Sequence, residues 1–251
     1  MSLDTVTPNH GNWALFLDVD GTLLNDAETP RDVHVSERVK QLLLGLTMRL
    51  DGALALISGR SLDEIDRLFA PLRFCASGVH GCELREASGC VVRAPLPTDS
   101  LCAIRVELES MLLRNEELLF EDKRYGLAVH FGRAPHLHDE VHNAMENACQ
   151  QLGSQFRVRS EKCVLEISPA AWSNGTAIAG FMGQMPFANR MPIYIGDDET
   201  EDYGFQVVNE LGGVSIKVGD SPTTLARHRL PGERNVIHWL ESLPPPFLGY
   251  A

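Results

Sequence analysis

The chain has 251 residues, 44% of them hydrophobic, which is long enough for one large domain or two small ones and excludes general disorder. Its 34 acidic and 22 basic residues give a formal net charge of -12, which would repel nucleic-acid backbones and anionic membrane surfaces. We therefore expect a small-molecule ligand, with no nucleic-acid partner and no membrane partner. The same negative field opposes an anionic ligand, so a phosphate site would need local positive charge.

The cysteines and the amino terminus bear on the cellular compartment. Six cysteines are scattered without a C-x-x-C pair, and a chain of this size needs no disulfide framework. Residues 1–12 lack the basic start and apolar run of a signal peptide, and no apolar stretch approaches the length of a membrane span. These features predict a cytoplasmic protein with reduced thiols, which we expect to be a monomer.

The first part of the chain alternates short apolar runs with helical patterns. In chain order the predicted elements are a strand at 14–17, a helix at 35–46, a strand at 53–57, a helix at 61–69 and a strand at 74–76. Ser61 and Glu64 have the spacing of a capping box at the start of the second helix. In open α/β sheets ligands bind at the carboxyl ends of the strands, so we expect chemistry there.

The middle of the chain, residues 98–169, predicts an inserted α+β domain. The expected order is a helix at 100–114, strands at 120–123 and 126–131, a helix at 139–152, and strands at 156–159 and 164–167. After this domain, helices and strands alternate again as in the first part of the chain. The predicted elements are a helix at 174–185, a strand at 193–195, a helix at 200–211 and a strand at 214–218. Prolines at 244–246 predict an extended tail. The fold class is therefore α/β, with a mainly parallel core formed by residues 1–97 and 170–251.

Two carboxylates, Asp18 and Asp20, directly follow the first predicted strand. Burying a carboxylate there is costly unless a cation compensates, and Mg²⁺ typically takes one or two carboxylates together with water and phosphate oxygens. Asp18 could then bind the metal ion and attack phosphorus, because carboxylates are nucleophiles in aspartyl-phosphate chemistry. Asp20 is placed to protonate the leaving oxygen and then to activate water. The alternative is an ordinary turn or N-cap pair of aspartates.

Two further strand ends carry polar groups. Ser58 and Gly59 could hold a phosphate oxygen with O–H and N–H donors at a helix start. The alternative is an ordinary turn, because a Ser-Gly pair alone is common between a strand and a helix. The strand at 193–195 is followed by five acidic residues within six positions, which would repel one another without a cation nearby. An acidic first helical turn is the alternative, since the helix dipole favours it. We predict Asp197 as the metal ligand of this run.

The order and separation of these motifs resemble the haloacid dehalogenase (HAD) superfamily of phosphohydrolases. The segments are Asp-x-Asp-Gly-Thr from Asp18, Ser-Gly-Arg from Ser58 and Gly-Asp-Asp from Gly196. The resemblance implies a Rossmann-like core with an inserted cap domain of the C2 type. It also implies Mg²⁺ bound by Asp18, by the backbone carbonyl of Asp20 and by Asp197, with Ser58 on the phosphate.

At a finer level the chain looks like the trehalose-6-phosphate phosphatase family. The similarity runs from Trp13 to Leu240, and it is carried by Asp51-Gly-Ala-Leu-Ala-Leu-Ile-Ser-Gly-Arg60, Gly78-Val-His-Gly-x-Glu83, Val164-Leu-Glu-Ile167 and Asn209-Glu-Leu-Gly-Gly-Val-Ser-Ile-Lys217. The resemblance implies a disaccharide monophosphate as substrate. The substrate-binding residues expected from these segments and from the cap are Gly59, Arg60, His80, Glu83, Lys123, His130 and Glu166. Without the family resemblance, Lys123 and Glu166 would be interpreted as solvent-exposed charged residues on strands. His130 would be interpreted as a strand histidine whose hydrogen bonds are made within the fold.

Asn174 is one of three departures from the family pattern, because it stands where a lysine is expected to steady the nucleophile and the phosphoryl charge. Losing one such stabiliser typically costs about 3 kcal/mol, or about a hundredfold in rate. We place Asn174 in the predicted catalytic set with Asp18, Asp20 and Ser58. Arg60 or Lys162 are candidates to replace the missing cation.

The other two departures concern Arg133 and Glu201. Gly132 separates Arg133 from the aromatic residue that it would directly follow in the family, which on a strand turns its side chain to the opposite face. Glu201 stands where an aspartate usually closes the fourth motif, so its carboxylate reaches one methylene further.

The predicted function is Mg²⁺-dependent hydrolysis of trehalose 6-phosphate to trehalose and phosphate. Two alternatives stay open. Another sugar phosphate could be the substrate, because the fold and the phosphate machinery do not fix it. The other alternative is a sugar-phosphate-binding or regulatory protein with impaired turnover, because Asn174 is neutral where the family pattern has a positively charged lysine.

Overall fold

A computed structural model describes residues 12–24, 34–96, 99–112, 115–161 and 163–243. The chain divides into two compact units, residues 1–92 together with 173–251, and residues 93–172. The predicted tail at 244–246 and Lys162 lie outside the described residues, as do the last two positions of the helix expected at 100–114.

Twelve strands and seven α-helices form within the described ranges. The strands are β1 (Trp13–Asp18), β2 (Leu54–Ile57), β3 (Cys75–Gly78), β4 (Glu83–Arg85), β5 (Val91–Arg93), β6 (Leu119–Asp122), β7 (Leu127–His130), β8 (Phe156–Glu161), β9 (Val164–Pro169), β10 (Met191–Gly196), β11 (Val214–Val218) and β12 (His228–Leu230). The helices are α1 (Glu37–Arg49), α2 (Leu62–Phe69), α3 (Asp99–Leu112), α4 (His138–Leu152), α5 (Asn174–Met182), α6 (Asp202–Glu210) and α7 (Glu233–Ser242). Short 3-10 turns occupy 79–81, 135–137 and 199–201.

The first unit is built on a sheet with the strand order β12-β11-β10-β1-β2-β3-β4-β5. Neighbouring strands from β12 to β3 are parallel, and β4 runs antiparallel to β3. In the registers, Leu17 pairs with Ile195, Asp18 with Ile57, and Gly196 with Lys217. The carboxyl ends of β2, β1 and β10 therefore meet at one edge of the sheet.

The central strands are continuous apolar runs because both faces of the sheet are covered. All residues of β1 are buried, and Leu54 to Ile57 in β2 are fully so. On one face Phe16 stacks on Phe187 with ring centroids 5.5 Å apart. The packing of these runs fixes the positions of the strand ends that carry the polar motifs.

The second unit is a four-stranded antiparallel sheet with the order β6-β7-β9-β8. Alternate strand residues such as Val129 and Leu165 join the buried core formed with α3 and α4. The intervening positions form a cross-strand row on the other face, since Glu121 pairs with Ala128, Ala128 with Glu166, and Glu166 with Arg159. One sheet face is thus apolar, while this row carries charged side chains.

The predicted α/β core and the α+β unit are both present, and so is the capping box of Ser61 and Glu64. Four elements were not predicted, namely β4, β5, β12 and α7. Among the described residues, no helix has both the length and the apolar character needed to cross a membrane.

The face argument for Arg133 is wrong. Strand β7 ends at His130, and Arg133 lies in an exposed turn beyond it. A one-residue shift exchanges sheet faces only within a strand, so Gly132, which lies beyond β7, does not turn Arg133 to the opposite face of the sheet.

Candidate active site

Three strand ends bring the predicted catalytic residues to one edge of the first unit. Asp18 is the last residue of β1 and pairs with Ile57, so Ser58 follows directly on the neighbouring strand. On the other side, Leu17 pairs with Ile195, which places Asp197 just beyond the carboxyl end of β10. The apolar runs predicted the strand ends, and the family resemblance implied that their polar residues share one site.

The Asp18 carboxylate is buried among other carboxylates. Burial raises the pKa of Asp18 well above its ordinary value, and the negative charges of Glu201, Asp197 and Asp20 raise it further. Its Oδ2 atom is buried and has no hydrogen-bond partner among the described residues. A buried acceptor surrounded by like charges is the environment that a cation would stabilise.

Gly21 allows the Asp197 carboxylate to approach the loop after β1. A methyl group at Gly21 would lie 1.9 Å from Asp197 Oδ2, and the Gly21 φ of +74° is in the left-handed region. Only glycine combines that backbone with such a close contact. The glycine of the motif therefore makes room for the second predicted metal ligand.

The fit of these residues to a metal ion rests on few side chains. The described residues contain no group of three or more His, Cys, Asp or Glu side chains arranged to hold a metal ion. The expected ligands are two carboxylates, Asp18 and Asp197, with one backbone carbonyl from Asp20. Oxygen ligands in this number suit a hard divalent cation that keeps several waters, and the unsatisfied Oδ2 of Asp18 agrees with it.

Arg60 holds the side chain of Asp20. Its Nε and an Nη donate to the two carboxylate oxygens, each at 2.7 Å. This bidentate pair fixes the orientation of the predicted acid and base, and it joins residues that are separated by 40 positions. The Arg60 guanidinium is therefore engaged with Asp20, rather than standing in for a cation beside Asp18.

The Ser58-Gly59-Arg60 turn is braced by a strained segment after β3. Ser58 Oγ accepts a hydrogen bond from the backbone N–H of Arg60 at 3.1 Å, which leaves its own O–H to donate. A methyl group at Gly59 would lie 2.7 Å from His80 Nε2, so the glycine makes room for the imidazole ring. Val79 and His80 both have positive φ, at 45° and 48°, which is costly for residues with a Cβ.

Glu83 is the first residue of β4, and its buried carboxylate lies against the N-terminus of helix α2. Its Oε2 accepts a hydrogen bond from the backbone N–H of Leu62 at 3.0 Å. A carboxylate in this position satisfies an unpaired helix N–H and complements the helix dipole. The carboxylate therefore has a helix-capping contact, and its predicted role toward a sugar remains a prediction.

The predicted cap residues lie in the second unit. Lys123 Nζ is 2.8 Å from Glu166 Oε2, and the Glu166 side chain is fully buried. His130 Nε2 is 2.9 Å from Glu121 Oε2. Burial opposes ionisation of Glu121, but His130 and Lys123 outweigh it and lower the pKa of this carboxyl. Lys123, His130 and Glu166 thus belong to one charged cluster, which also includes Glu121.

Known proteins are similar to this chain in sequence and in fold. A model of the family described as Trehalose-phosphatase matches residues 16–231. A probable trehalose-phosphate phosphatase of Sinorhizobium fredii is 42% identical over 217 residues, covering 86% of this chain and 82% of the relative. The trehalose-6-phosphate phosphatase of Escherichia coli is 40% identical over 240 residues, covering 95% and 90%.

The chain belongs to the trehalose-phosphatase family. The resemblance inferred from the motifs is thereby confirmed, and so is the prediction of a phosphatase. The solved C-terminal domain of C. albicans trehalose-6-phosphate phosphatase matches with a TM-score of 0.83 at 19% identity, covering 94% of this chain and 93% of that one. A haloacid dehalogenase-like hydrolase of B. subtilis matches with a TM-score of 0.63 at 15% identity, covering 92% of this chain and 100% of that one. These two likenesses confirm the HAD-type fold.

Two departures from the trehalose-phosphatase pattern contact each other. Asn174, the first residue of α5, donates from Nδ2 to Glu201 Oε2 at 2.9 Å, and both residues are buried. Asn174 Oδ1 is buried without a hydrogen-bond partner among the described residues. The Asn174–Glu201 hydrogen bond thus occupies a place where the trehalose-phosphatase pattern expects a lysine and an aspartate.

Sequence reasoning assigned no role to Lys217. This lysine lies in β11, pairs with Gly196 and is only 1% exposed. The available signal was a lysine inside an otherwise buried apolar strand, between Ile216 and Val218. Its place at the end of the Asn209–Lys217 segment indicates no role of its own.

Proposed function

We propose that this protein is a Mg²⁺-dependent phosphatase that hydrolyses trehalose 6-phosphate to trehalose and inorganic phosphate. The observation that carries the proposal is the buried Asp18 carboxylate, beside Asp197 and Ser58 at converging strand ends. The substrate is proposed because relatives at 40% and 42% identity are named for trehalose phosphate. Substrate identity could not come from the phosphate-binding residues alone.

The reaction uses two carboxylates in two steps. A carboxylate oxygen of Asp18 forms a bond to phosphorus while the bond from phosphorus to the sugar oxygen breaks, giving an aspartyl-phosphate. Asp20 donates its proton to the departing sugar oxygen, and in the second step it takes a proton from water. The resulting hydroxide displaces Asp18 from phosphorus, releases phosphate and regenerates the free carboxylate.

Ser58 and Arg60 prepare this chemistry. Because Ser58 Oγ accepts from the Arg60 N–H, its own hydroxyl hydrogen remains free to donate to a phosphate oxygen. The bidentate contact from the Arg60 side chain holds the ionised Asp20 carboxylate in one orientation, and this is the form that takes a proton from water in the second step.

The side chains of Asp18 and Asp197, with the carbonyl of Asp20, would hold Mg²⁺. The bound ion offsets negative charge on the transferring phosphoryl group. Without a cation, the carboxylates around Asp18 would repel an anionic substrate, so the protein residues alone do not form a favourable phosphate site.

We also propose that residues 98–169 act as the cap domain of a core formed by residues 1–97 and 170–251. In this proposal Lys123, His130 and Glu166 bind sugar hydroxyls, while His80 and Glu83 contribute from the core with Gly59 and Arg60. The charged row on the second unit's sheet supports a polar ligand there. We expect the protein to act as a cytoplasmic monomer.

A phosphate-release assay with trehalose 6-phosphate and Mg²⁺ tests the proposal. Asp18→Asn is the blank, because an amide cannot form the aspartyl-phosphate. A panel of sugar phosphates assayed in parallel identifies the preferred substrate. Release from another sugar phosphate at a higher kcat/KM than from trehalose 6-phosphate would refute the substrate assignment while retaining the phosphatase.

A second candidate function is binding of a sugar phosphate without turnover. It is favoured by Asn174, a neutral side chain with an unsatisfied Oδ1, where the trehalose-phosphatase pattern has a cation. Calorimetry with trehalose 6-phosphate separates the two functions. Affinity for the sugar phosphate with no phosphate release above the Asp18→Asn blank would support the binding protein and exclude the enzyme.

A further inference from the structure

Lys217 is a buried lysine on the same sheet face as the catalytic carboxylate. Asp18 follows Leu17, which pairs with Ile195, so Asp18, Gly196 and Lys217 stand in one cross-strand row. Side chains in such a row point to the same face of the sheet. Two strand spacings separate Lys217 from Asp18, or about 10 Å between their Cα atoms.

The face of Lys217 is the one that helix α6 covers. Ser215, two residues earlier on β11, donates from its hydroxyl to Asn209 Oδ1 in α6 at 2.7 Å. In the next strand, Tyr194 packs on Phe205 of α6 with ring centroids 5.3 Å apart. Lys217 therefore lies between β11 and α6, whose preceding turn carries Glu201.

Lys217 is only 1% exposed, so its charged side chain is largely shielded from water. A buried charge is costly unless opposite charge lies near enough to compensate it. The Glu201 side chain lies over the intervening residue, because a methyl group at Gly196 would be 2.6 Å from Glu201 Cγ. Glu201 forms a negatively charged cluster with Asp18 and Asp197. This cluster is a source of opposite charge on the same face of the sheet.

We propose that Lys217 is a positioning residue whose fixed positive charge stabilises the Asp18, Asp197 and Glu201 cluster and moderates its attraction for the divalent cation. This inference rests on the proposed function, because it assumes that the cluster binds Mg²⁺. The charge acts through a partly buried medium, where a unit charge within about 10 Å changes the affinity for a divalent ion several-fold. Because Asn174 is neutral, Lys217 supplies a larger share of the positive charge near the carboxylates than it would if residue 174 were also a lysine.

Replacing Lys217 by methionine removes the charge and keeps most of the side-chain volume. We expect Lys217→Met to bind Mg²⁺ about three- to tenfold more tightly by calorimetry of the substrate-free protein, because repulsion of the cation is lost. We also expect kcat for trehalose 6-phosphate to fall about tenfold, with KM changed less than about twofold. A purely structural lysine would weaken Mg²⁺ binding when replaced, so the sign of the change separates the two roles.

Arg229→Met is the matched control. Arg229 pairs with Lys217 on the next strand but is exposed, so its charge is screened by solvent. We expect its Mg²⁺ affinity to stay within about twofold of wild type. Lys217→Gln, with an uncharged side chain that can hydrogen-bond, gives a second measurement if the methionine variant does not fold, as judged by near-ultraviolet circular dichroism.

Unchanged or weaker Mg²⁺ binding in a folded Lys217→Met or Lys217→Gln variant would overturn the inference. If the wild-type protein releases no phosphate, only the proposed function is overturned, because the comparison of Mg²⁺ affinities uses no substrate. A wild-type protein that binds no Mg²⁺ would overturn both.

Discussion

The Asn174 amide donates to the Glu201 carboxylate at 2.9 Å, and both positions depart from the trehalose-phosphatase pattern. Asn174 is shorter than the lysine of the pattern and is neutral, whereas Glu201 is one methylene longer than the aspartate of the pattern. The direct contact explains why both changes can coexist, but it restores no positive charge. Asp18 is left beside a carboxylate that the trehalose-phosphatase pattern would pair with lysine.

Asn174→Lys should raise turnover. A lysine at this position would pair with Glu201 and stabilise charge on the phosphoryl group, which typically contributes about 3 kcal/mol in the transition state. We expect kcat to increase at least about tenfold, as measured by phosphate release from trehalose 6-phosphate at saturating Mg²⁺.

The Glu201→Asp variant and the double variant complete a cycle. If the two residues act as a pair, the double variant should exceed the product of the single effects on kcat. Equal or lower turnover in both Asn174→Lys and the double variant would show that the missing lysine does not limit this enzyme.

Much of the fold was predictable because buried parallel strands are continuous apolar runs. Strands β1, β2 and β10 could be located in this way, and with them the positions of Asp18 and Asp197. Strand β12 (His228–Leu230) was missed because three mostly polar residues give no periodic signal. Helix α7 was missed although Val236, Ile237 and Leu240 have helical spacing.

The side-chain partnerships of the site were less predictable than its strand ends. Arg60 meets Asp20 only because β1 and β2 are neighbours, and no local spacing encodes that contact. Lys217 lies near the catalytic cluster for the same reason, through the order of β11, β10 and β1. Such contacts depend on which strands are adjacent, and on side-chain direction at the sheet edge.

Asp66 should make folding stability depend on acid pH. Burial opposes its ionisation, but ion pairs with Arg85 at 2.7 Å and Arg73 at 2.9 Å prevail and lower the pKa of Asp66. The unfolded chain therefore binds more protons than the native protein between the lowered pKa and the ordinary value. The contribution to stability is complete above the ordinary carboxyl pKa, about 4, and is lost as the pH falls through the native pKa.

Urea denaturation between about pH 6 and about pH 3 checks this dependence. Asp66→Asn should be less stable than wild type at the upper pH, and the difference should shrink toward the lower pH. Asp63→Asn, an exposed position in the first turn of the same helix, is the control and should show a smaller pH-dependent loss than Asp66→Asn, because it removes only a solvent-screened contact with the helix dipole. A constant difference across the range would mean that Asp66 acts through packing rather than charge.

Arg60→Lys should impair catalysis more than binding. A lysine cannot reproduce the two parallel hydrogen bonds to Asp20, because the ammonium is a point charge without the planar fork. We expect kcat to fall about ten- to a hundredfold, since Asp20 would lose its fixed orientation as acid and base. Arg67→Lys, an exposed arginine on α2, is the control and should retain wild-type kcat. A variant that raised KM with unchanged kcat would assign Arg60 to substrate binding alone.

Gly21→Ala tests whether the loop after β1 and Asp197 form one metal site. The added methyl would lie 1.9 Å from Asp197 Oδ2, so the carboxylate must leave its present position. We expect Mg²⁺ affinity to fall at least about tenfold by calorimetry, together with about 1–3 kcal/mol of stability lost to the positive φ and the displaced side chain. Gly89→Ala separates these causes, because Gly89 also has a positive φ, +84°, but nothing lies within 4 Å of the added methyl. The control should lose a similar backbone contribution to stability and keep its Mg²⁺ affinity, whereas equal affinities in the two variants would show that Asp197 is not a ligand.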